Sequence, residues 1–346
     1  MGKIVLVTGA ARQLNGRFAR HLRRDPGVDR VIAVDSAEPI HPLGDAEFVR
    51  ADVRRPAIAT VLAEHAVDTV VHLDIQDAPA SAAGGGRAAV KEVNVLGTLQ
   101  LLGACQRIPS LRRIIVKSST RIYGGGGADP AVFDEDAPPA LPAGGGFARD
   151  VAEIEEYVRG FARRRPDVAV TVLRFADVLG PLGESQLAGY FRLPVLPTLL
   201  GYDPRLQFVH EDDVLDVLSR AVVDPDRPGG LTAGTFNVAG DGVLMLSQAA
   251  RRIGRVTLPL LPPLAPWVGS GLRAFGVAGI SAEQFRSLVR GRVVRTDRLR
   301  EAMGGPLEYT TAEAFADFAA THGPPVRPQA AVARAVERIE EVLRDG

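Results

Sequence analysis

From the start of the chain, wholly apolar runs alternate with stretches in which apolar residues recur every three or four places. "KIVLVTG" (3–9) predicts a buried strand, "RFARHLRR" (17–24) a helix and "RVIAVD" (30–35) a strand, with a third strand ending before Asp52. "IATVLAEH" (58–65) predicts a helix, "DTVVHL" (68–73) a strand, "AAVKEVNVLGTLQLLGACQ" (88–106) one long helix and "RRIIVKSS" (112–119) another strand. A helix from about 147, ending before Pro166, and the strand "VAVTVLRF" (168–175) continue the series. Strands apolar on both faces and separated by helices imply a parallel sheet covered on both sides. The handedness of the crossovers then gives an α/β fold with a Rossmann-type, doubly wound sheet.

After Gly180-Pro181 the texture changes. Prolines 194, 197 and 204 break the chain into short segments, before the strand "LQFV", the helix "EDDVLDVLSRAVV" and the strand "GTFNVA" restore the earlier pattern. From about 243 helices dominate. The expected organisation is a dinucleotide-binding domain of residues 1–180 plus about 206–242, and a smaller, mostly helical substrate lobe of 181–205 plus about 243–325. A separate C-terminal unit of 326–346 carries an amphipathic helix over 329–345, with Val332, Val336, Ile339 and Leu343 on one face. Glycine runs at 84–86, 124–127 and 144–146 read as loops.

Charge removes several classes of function. With 41 basic and 41 acidic residues the net charge is zero, and no basic footprint for nucleic acid stands out. The most apolar stretch, "TLPLLPPLAPWVGSGL" (257–272), is too short and proline-broken to span a bilayer. Cys105 is the single cysteine, so a disulfide framework is excluded, and no His/Cys/carboxylate spacing suggests a metal site. The N-terminus runs directly into a strand, and a soluble cytoplasmic protein is expected. Only Lys3, Lys91 and Lys117 are lysines, which leaves few candidates for a catalytic amine.

The first chemistry lies in "VTGAARQLNGRFA", a glycine-containing turn between strand and helix that aims backbone N–H groups at a diphosphate. Gly9, Ala11, Arg12, Gln13 and Leu14 form the candidate cradle. A G-x-x-G-x-x-G spacing from Gly9 meets Arg12 and Asn15, with Gly16 one place late. Arg12 offers a guanidinium to a phosphate, and Asn15 tolerates the left-handed backbone that glycine would supply. Asp35, ending the second strand, suits a ribose diol and favours NAD; Arg12 keeps NADP open. Asp52 and Val53 follow the third strand, where they would flank an adenine.

From residue 3 to about 318 the chain resembles the extended short-chain dehydrogenase/reductase family, its NAD-dependent epimerase/dehydratase group. The resemblance rests on "VTGAA", "VIAVD", "ADV", "TVVHL", "NVLGT", "KSSTRIYG", "LRFADVLGP", "FVHEDDV" and "FNVAGDG", in this order. It implies an NAD cofactor, a small-molecule substrate, commonly a nucleotide sugar, held by the lobe after 181, and a homodimer formed through the helices beginning near 88 and 147. It implies Thr120 bonded to the substrate's hydroxyl or carbonyl, Asn94 beside the site, and Arg174 to Gly180 along the nicotinamide. Leu73, Asn94, Ser118 and Phe175 are expected to complete the cofactor contacts.

The resemblance breaks at the proton relay. The family's Tyr-x-x-x-Lys pair falls on Phe147 and Val151, neither of which gives or takes a proton. Tyr157 is ten positions further, on the order of 15 Å along the helix. Lys117 is expected to leave its strand on a different side, and Lys91 reads as a solvated lysine or as sharing a face with Asn94. Tyr123 is either a surviving phenol or a packing residue. Asp74 and Asp150 qualify as bases only if burial raises their pKa. His72 reads as a satisfied core histidine and His210 as a brace for the helix after it. Two functions follow: an epimerase/dehydratase-like oxidoreductase with a substituted relay, or a non-catalytic dinucleotide-binding regulator or scaffold.

Overall fold

The computed structural model describes residues 2–77, 86–124, 130–140, 146–223, 230–260 and 291–322. The C-terminal helix expected over 329–345 and most of the proline-rich stretch near 262 lie outside the described residues.

Seven strands form one sheet: β1 (Lys3–Thr8), β2 (Val28–Asp35), β3 (Glu47–Arg50), β4 (Thr69–His72), β5 (Arg113–Ser119), β6 (Ala169–Phe175) and, after four short strands, β11 (Gly234–Val238). Their order is β11-β6-β5-β4-β1-β2-β3, with every pairing parallel. The order reverses between β1 and β4, and a crevice opens at the strand carboxyl ends where the flanking crossovers diverge. Alternate residues of each strand face opposite layers. Val5, Val7 and Ile115 pack toward α1 (Gln13–Leu22) and α7 (Glu211–Val222), whereas Leu6, Ile114 and Val116 pack toward α2 (Ala57–Glu64), α4 (Gly97–Cys105) and α5 (Phe147–Arg164). Apolar side chains on both faces explain why the strands carry almost no polar positions.

The helix expected over 88–106 is interrupted. Chain direction is kept, but α3 (Gly86–Lys91) and α4 are joined by a π turn, Glu92–Leu96. The extra residue re-aims Asn94 inward, an adjustment that apolar periodicity alone does not reveal. Gly146 starts α5 with φ +103°, a conformation that L side chains rarely adopt.

Beyond β7 (Asp177–Leu179) come α6 (Gln186–Phe191), β8 (Val195–Leu199), β9 (Arg205–Leu206) and β10 (Phe208–His210). Later β12 (Leu244–Met245) pairs with β9, and β13 (Val256–Leu260) pairs with β8. With α8 (Leu246–Arg252) and α10 (Thr311–Thr321) they enclose an aromatic core of Tyr190, Phe191, Phe208, Phe315 and Phe318. Between them α9 (Asp297–Met303) returns to the main sheet, where Leu299 joins the core under β11. Helices make up most of the regular structure described in this region, as expected, with two small strand pairs among them. Their strands are only two to five residues long, too short for alternation to register.

Candidate active site

The turn after β1 has the form a dinucleotide requires. Gly9 sits at φ +74°, and a Cβ there would lie 3.0 Å from both Asp74 Cα and Asn15 Nδ2. Asn15 is helical, inside α1, and is not the left-handed residue expected. Its amide instead donates to Gly9 O (3.0 Å) and Leu73 O (3.4 Å), tying β1 to β4. Gly16 takes the close-packing place, because a Cβ there would approach Ala10 O to 2.9 Å. Arg12, exposed at the N-cap, makes no side-chain cap, and the first turn of α1 holds no acid of its own. The Leu14 N–H donates at 3.4 Å to the Glu184 carboxylate from the loop after β7. Anionic groups are favoured at such a helix start, and a diphosphate fits it.

Asp35 is held by the Ala11 N–H (2.9 Å) and the Ala37 N–H (3.0 Å), which fixes its carboxylate beside the turn. Asp52 is engaged by Arg54 through both oxygens, and that guanidinium holds its carboxyl below the usual range. Val53 is buried against Gly97. Gly9, Ala11 to Leu14, Asp35 and the β4 end thus share one edge, with room shaped by glycine and charge placed for a ribose and a diphosphate.

At the β4 end, Leu73 is buried and Thr8 Oγ1 accepts the N–H groups of Leu73 (3.1 Å) and Asp74 (3.2 Å). His72 lies between Thr8 Oγ1 (2.8 Å) and Thr98 Oγ1 (2.9 Å), and burial pushes its pKa down to about 4. Asn94 pairs with the backbone of Gln76 through both ends of its amide (2.7 and 2.9 Å) and donates to buried Asp150 (3.1 Å), which also meets Arg87. Asp150 is therefore committed to partners on α3 and the π turn. Desolvation raises the pKa of Asp74.

The relay positions form an apolar plug. Val151 is fully buried and Phe147 partly so, both packed with Ile122, Tyr123, Phe133 and Ala176. The Arg121 guanidinium stands 6.0 Å from the Phe147 ring centroid and bridges Asp77 (2.6 Å) and Asp177 (2.9 Å). Tyr123 is no free acid: its hydroxyl donates to Asn237 Oδ1 (2.7 Å) and accepts from Arg174 Nη1 (2.6 Å). Burial pushes that phenol up to about 12, and its ring stacks on Phe133. Arg174 pairs through two bonds with Glu155, which also accepts from Ser118 Oγ at 2.6 Å. Ser118 is thereby turned toward α5, into this network. Phe175 is buried in the opposite layer.

Thr120 begins the turn that Ser119 caps through the Arg121 N–H, and it lines a small cleft shared with Asp177, Gln207, Phe208 and Arg292. Arg292 donates to Gly124 O (3.0 Å), and burial together with the Arg121 charge lowers its pKa to about 10. Motif reading had not singled out Arg121, Arg292 or Glu184: Arg121 lies in the short helical turn Thr120–Tyr123 after β5, and the other two reach the edge from loops. His210 caps α7 through the Asp212 N–H (3.1 Å) and reaches Asp317 (3.1 Å). Among the described residues no group of three or more His, Cys, Asp or Glu is placed to hold a metal ion, and no helix is long and apolar enough to cross a membrane.

A parallel sheet with this turn at its reversal point defines a dinucleotide-binding class of enzyme fold. The model of the NAD dependent epimerase/dehydratase family matches residues 5–239. The chain belongs to that family. It is 46% identical over 322 residues to an uncharacterized protein of Mycobacterium tuberculosis, covering 91% of this chain and 83% of that one. It is 29% identical over 266 residues to the UDP-glucose 4-epimerase of Mycolicibacterium smegmatis, covering 69% of this chain and 77% of that one. In fold it is similar to the UDP-glucuronic acid 4-epimerase of Bacillus cereus, solved with UDP-glucuronic acid and NAD. The TM-score is 0.69 at 15% identity, over 92% of this chain and 98% of that one.

Proposed function

We propose that this chain is an NAD-dependent oxidoreductase of the epimerase/dehydratase type, acting on a hydroxyl or carbonyl of a nucleotide sugar or a related substrate. The observation that carries the reading is the sharing of one sheet edge by the Gly9 turn, the fixed Asp35 carboxylate and the cleft that begins at Thr120. The UDP-glucose 4-epimerase relative supports the substrate class.

NAD, when bound, supplies a reversible hydride acceptor. Asp35 accepts hydrogen bonds from the adenosine ribose and disfavours a 2′-phosphate, while Arg12 and the start of α1 hold the diphosphate. Thr120 orients the reacting oxygen of the substrate, and Arg292 attracts an anionic substrate group within the same cleft. Phe147 and Val151 exclude water and hold no proton. Loss of acid–base help costs roughly 10²–10⁴-fold, so slow turnover is expected on sugar nucleotides.

The test is incubation of the purified protein with NAD and UDP-glucose, UDP-galactose or UDP-glucuronic acid, followed by chromatography of the products. Conversion that falls at least about tenfold in Thr120→Val supports the enzyme; absence of conversion with every substrate counts against it. The second reading, a non-catalytic dinucleotide-responsive regulator, is favoured by the closed apolar packing of Val151 and the fully engaged Tyr123 hydroxyl. It predicts NAD binding without turnover, and turnover appearing in the Phe147→Tyr/Val151→Lys double variant.

A further inference from the structure

Lys117 directly follows the apolar run Ile114–Val116 of β5, a central strand of the sheet whose other charged residue, Arg113, stands at its start. Its neighbours Ile115 and Val116 pack into opposite layers, and alternation places Lys117 on the Ile115 face, away from α5. The side chain does not end in that layer. Nζ reaches the loop after β4 and donates to Ile75 O at 3.3 Å. That is one of the three N–H bonds an ammonium can make, and among the described residues it makes no other.

The charges around it mark the place. Asp74 and Asp77 follow β4, Glu184 comes from the loop after β7, and Arg12 heads α1; all four interact electrostatically with the ammonium. Asp77 is already bridged to Arg121 (2.6 Å), and Glu184 takes the Leu14 N–H. A lysine driven into a sheet edge is costly unless the charge is used. Here it is surrounded by the groups that line the dinucleotide crevice at the β1/β4 reversal, on the β5 side of it. The missing relay lysine at Val151 would have approached from α5, on the other layer.

We propose that Lys117 is a positioning residue for the dinucleotide, its ammonium bonding the diphosphate and the nicotinamide-side ribose and replacing, from the opposite layer, the cation absent at Val151. This rests on the reading of the chain as an NAD-binding protein. The bland alternative is that Lys117 only pins the β4 loop through Ile75 O. Desolvation, with the Arg12 charge beside it, lowers the Lys117 pKa to about 8, which fits an ammonium awaiting a stronger anionic partner.

The experiment is titration calorimetry of the full chain with NAD, ADP-ribose and AMP, for the parent, Lys117→Met and Lys117→Arg. Lys117→Met is expected to weaken NAD and ADP-ribose at least tenfold and to leave AMP within about twofold, because AMP lacks the contacted half. Lys117→Arg keeps the charge and is expected to recover most of the loss. NAD affinity unchanged in a Lys117→Met protein that melts cooperatively overturns the inference, as does an equal loss for AMP. If Lys117→Met fails to fold, Lys117→Gln, neutral but polar, decides through the NAD to AMP affinity ratio. Loss of the charge lowers that ratio at least threefold where contact exists, and an unchanged ratio overturns the proposal. Parent protein that binds none of the three ligands refutes the underlying NAD reading instead, so the two failures are told apart.

Discussion

At the scale of single residues, hydrogen-bond bookkeeping fixes states that a motif leaves open. Thr8 Oγ1 accepts two backbone N–H groups, so its own proton goes to His72 Nδ1. The imidazole therefore carries its proton on Nε2 and donates to Thr98, whose hydroxyl donates to Asn94 O. This is a neutral histidine with both nitrogens satisfied. Its folded pKa of about 4 lies below the reference 6.5, so the folded state binds fewer protons in that window. Its contribution is complete above pH 6.5 and is lost as pH falls toward 4, on the order of 3 kcal/mol in all. Urea titrations at pH 7.5 and 4.5 are expected to show a smaller difference in His72→Gln than in the parent; an equal difference contradicts the assignment.

Tyr123 gives a second prediction at this scale. Removing its hydroxyl leaves Asn237 Oδ1 and an Arg174 N–H short of a buried partner, at a cost of about 1–3 kcal/mol. Tyr123→Phe should lower the denaturation midpoint while leaving NAD affinity unchanged. A kinetic loss without a stability loss would restore Tyr123 as the acid. The sequence had left this residue open between phenol and packing, since only tertiary partners distinguish the two. The face from which Lys117 leaves β5 was legible; the place where its ammonium ends was not. Strand alternation gives the face on which a side chain starts, but a lysine is long enough to end at the sheet edge.

At the scale of elements, the π turn ends on Leu96 (49% exposed) and α4 presents Leu99 (44% exposed), with exposed Gly103 seven positions after Leu96 on the same face. A Cβ on Gly103 would meet nothing within 4 Å, so another helix can approach closely there. An apolar strip of this kind beside α5 suits a second copy of the chain, in keeping with the homodimer that the family resemblance implies. Leu96→Glu/Leu99→Glu is expected to halve the mass in multi-angle light scattering, from dimer to monomer. A monomeric parent would remove the proposal.

Long elements were legible: β1, β2, β4, β5, β6, α1, α5 and α7 follow the apolar pattern closely, because each buries a continuous face. The π turn at Asn94 and the short strands β8, β9, β12 and β13 were not. A single inserted residue, or a strand of two to five, leaves too little periodicity to detect.

At the scale of the whole molecule, the candidate site is gathered along one edge of the sheet. The cofactor end of that edge was readable because glycine, a helix start and a strand-terminal acid recur at fixed offsets from β1 and β2. The cleft was not, because Thr120, Asp177, Gln207 and Arg292 converge on it from four separated segments. The start of α5 holds neither a phenol nor a lysine, whereas Lys117 lies on the other side of the crevice, on β5. The claim beneath the whole account is that the Gly9 turn receives a nicotinamide dinucleotide, and titration calorimetry of the purified parent chain with NAD tests it most directly. The account predicts saturable binding with one site per chain and weaker binding of NADP, whose 2′-phosphate meets the Asp35 carboxylate. No binding heat from either dinucleotide, on protein that melts cooperatively, would contradict it.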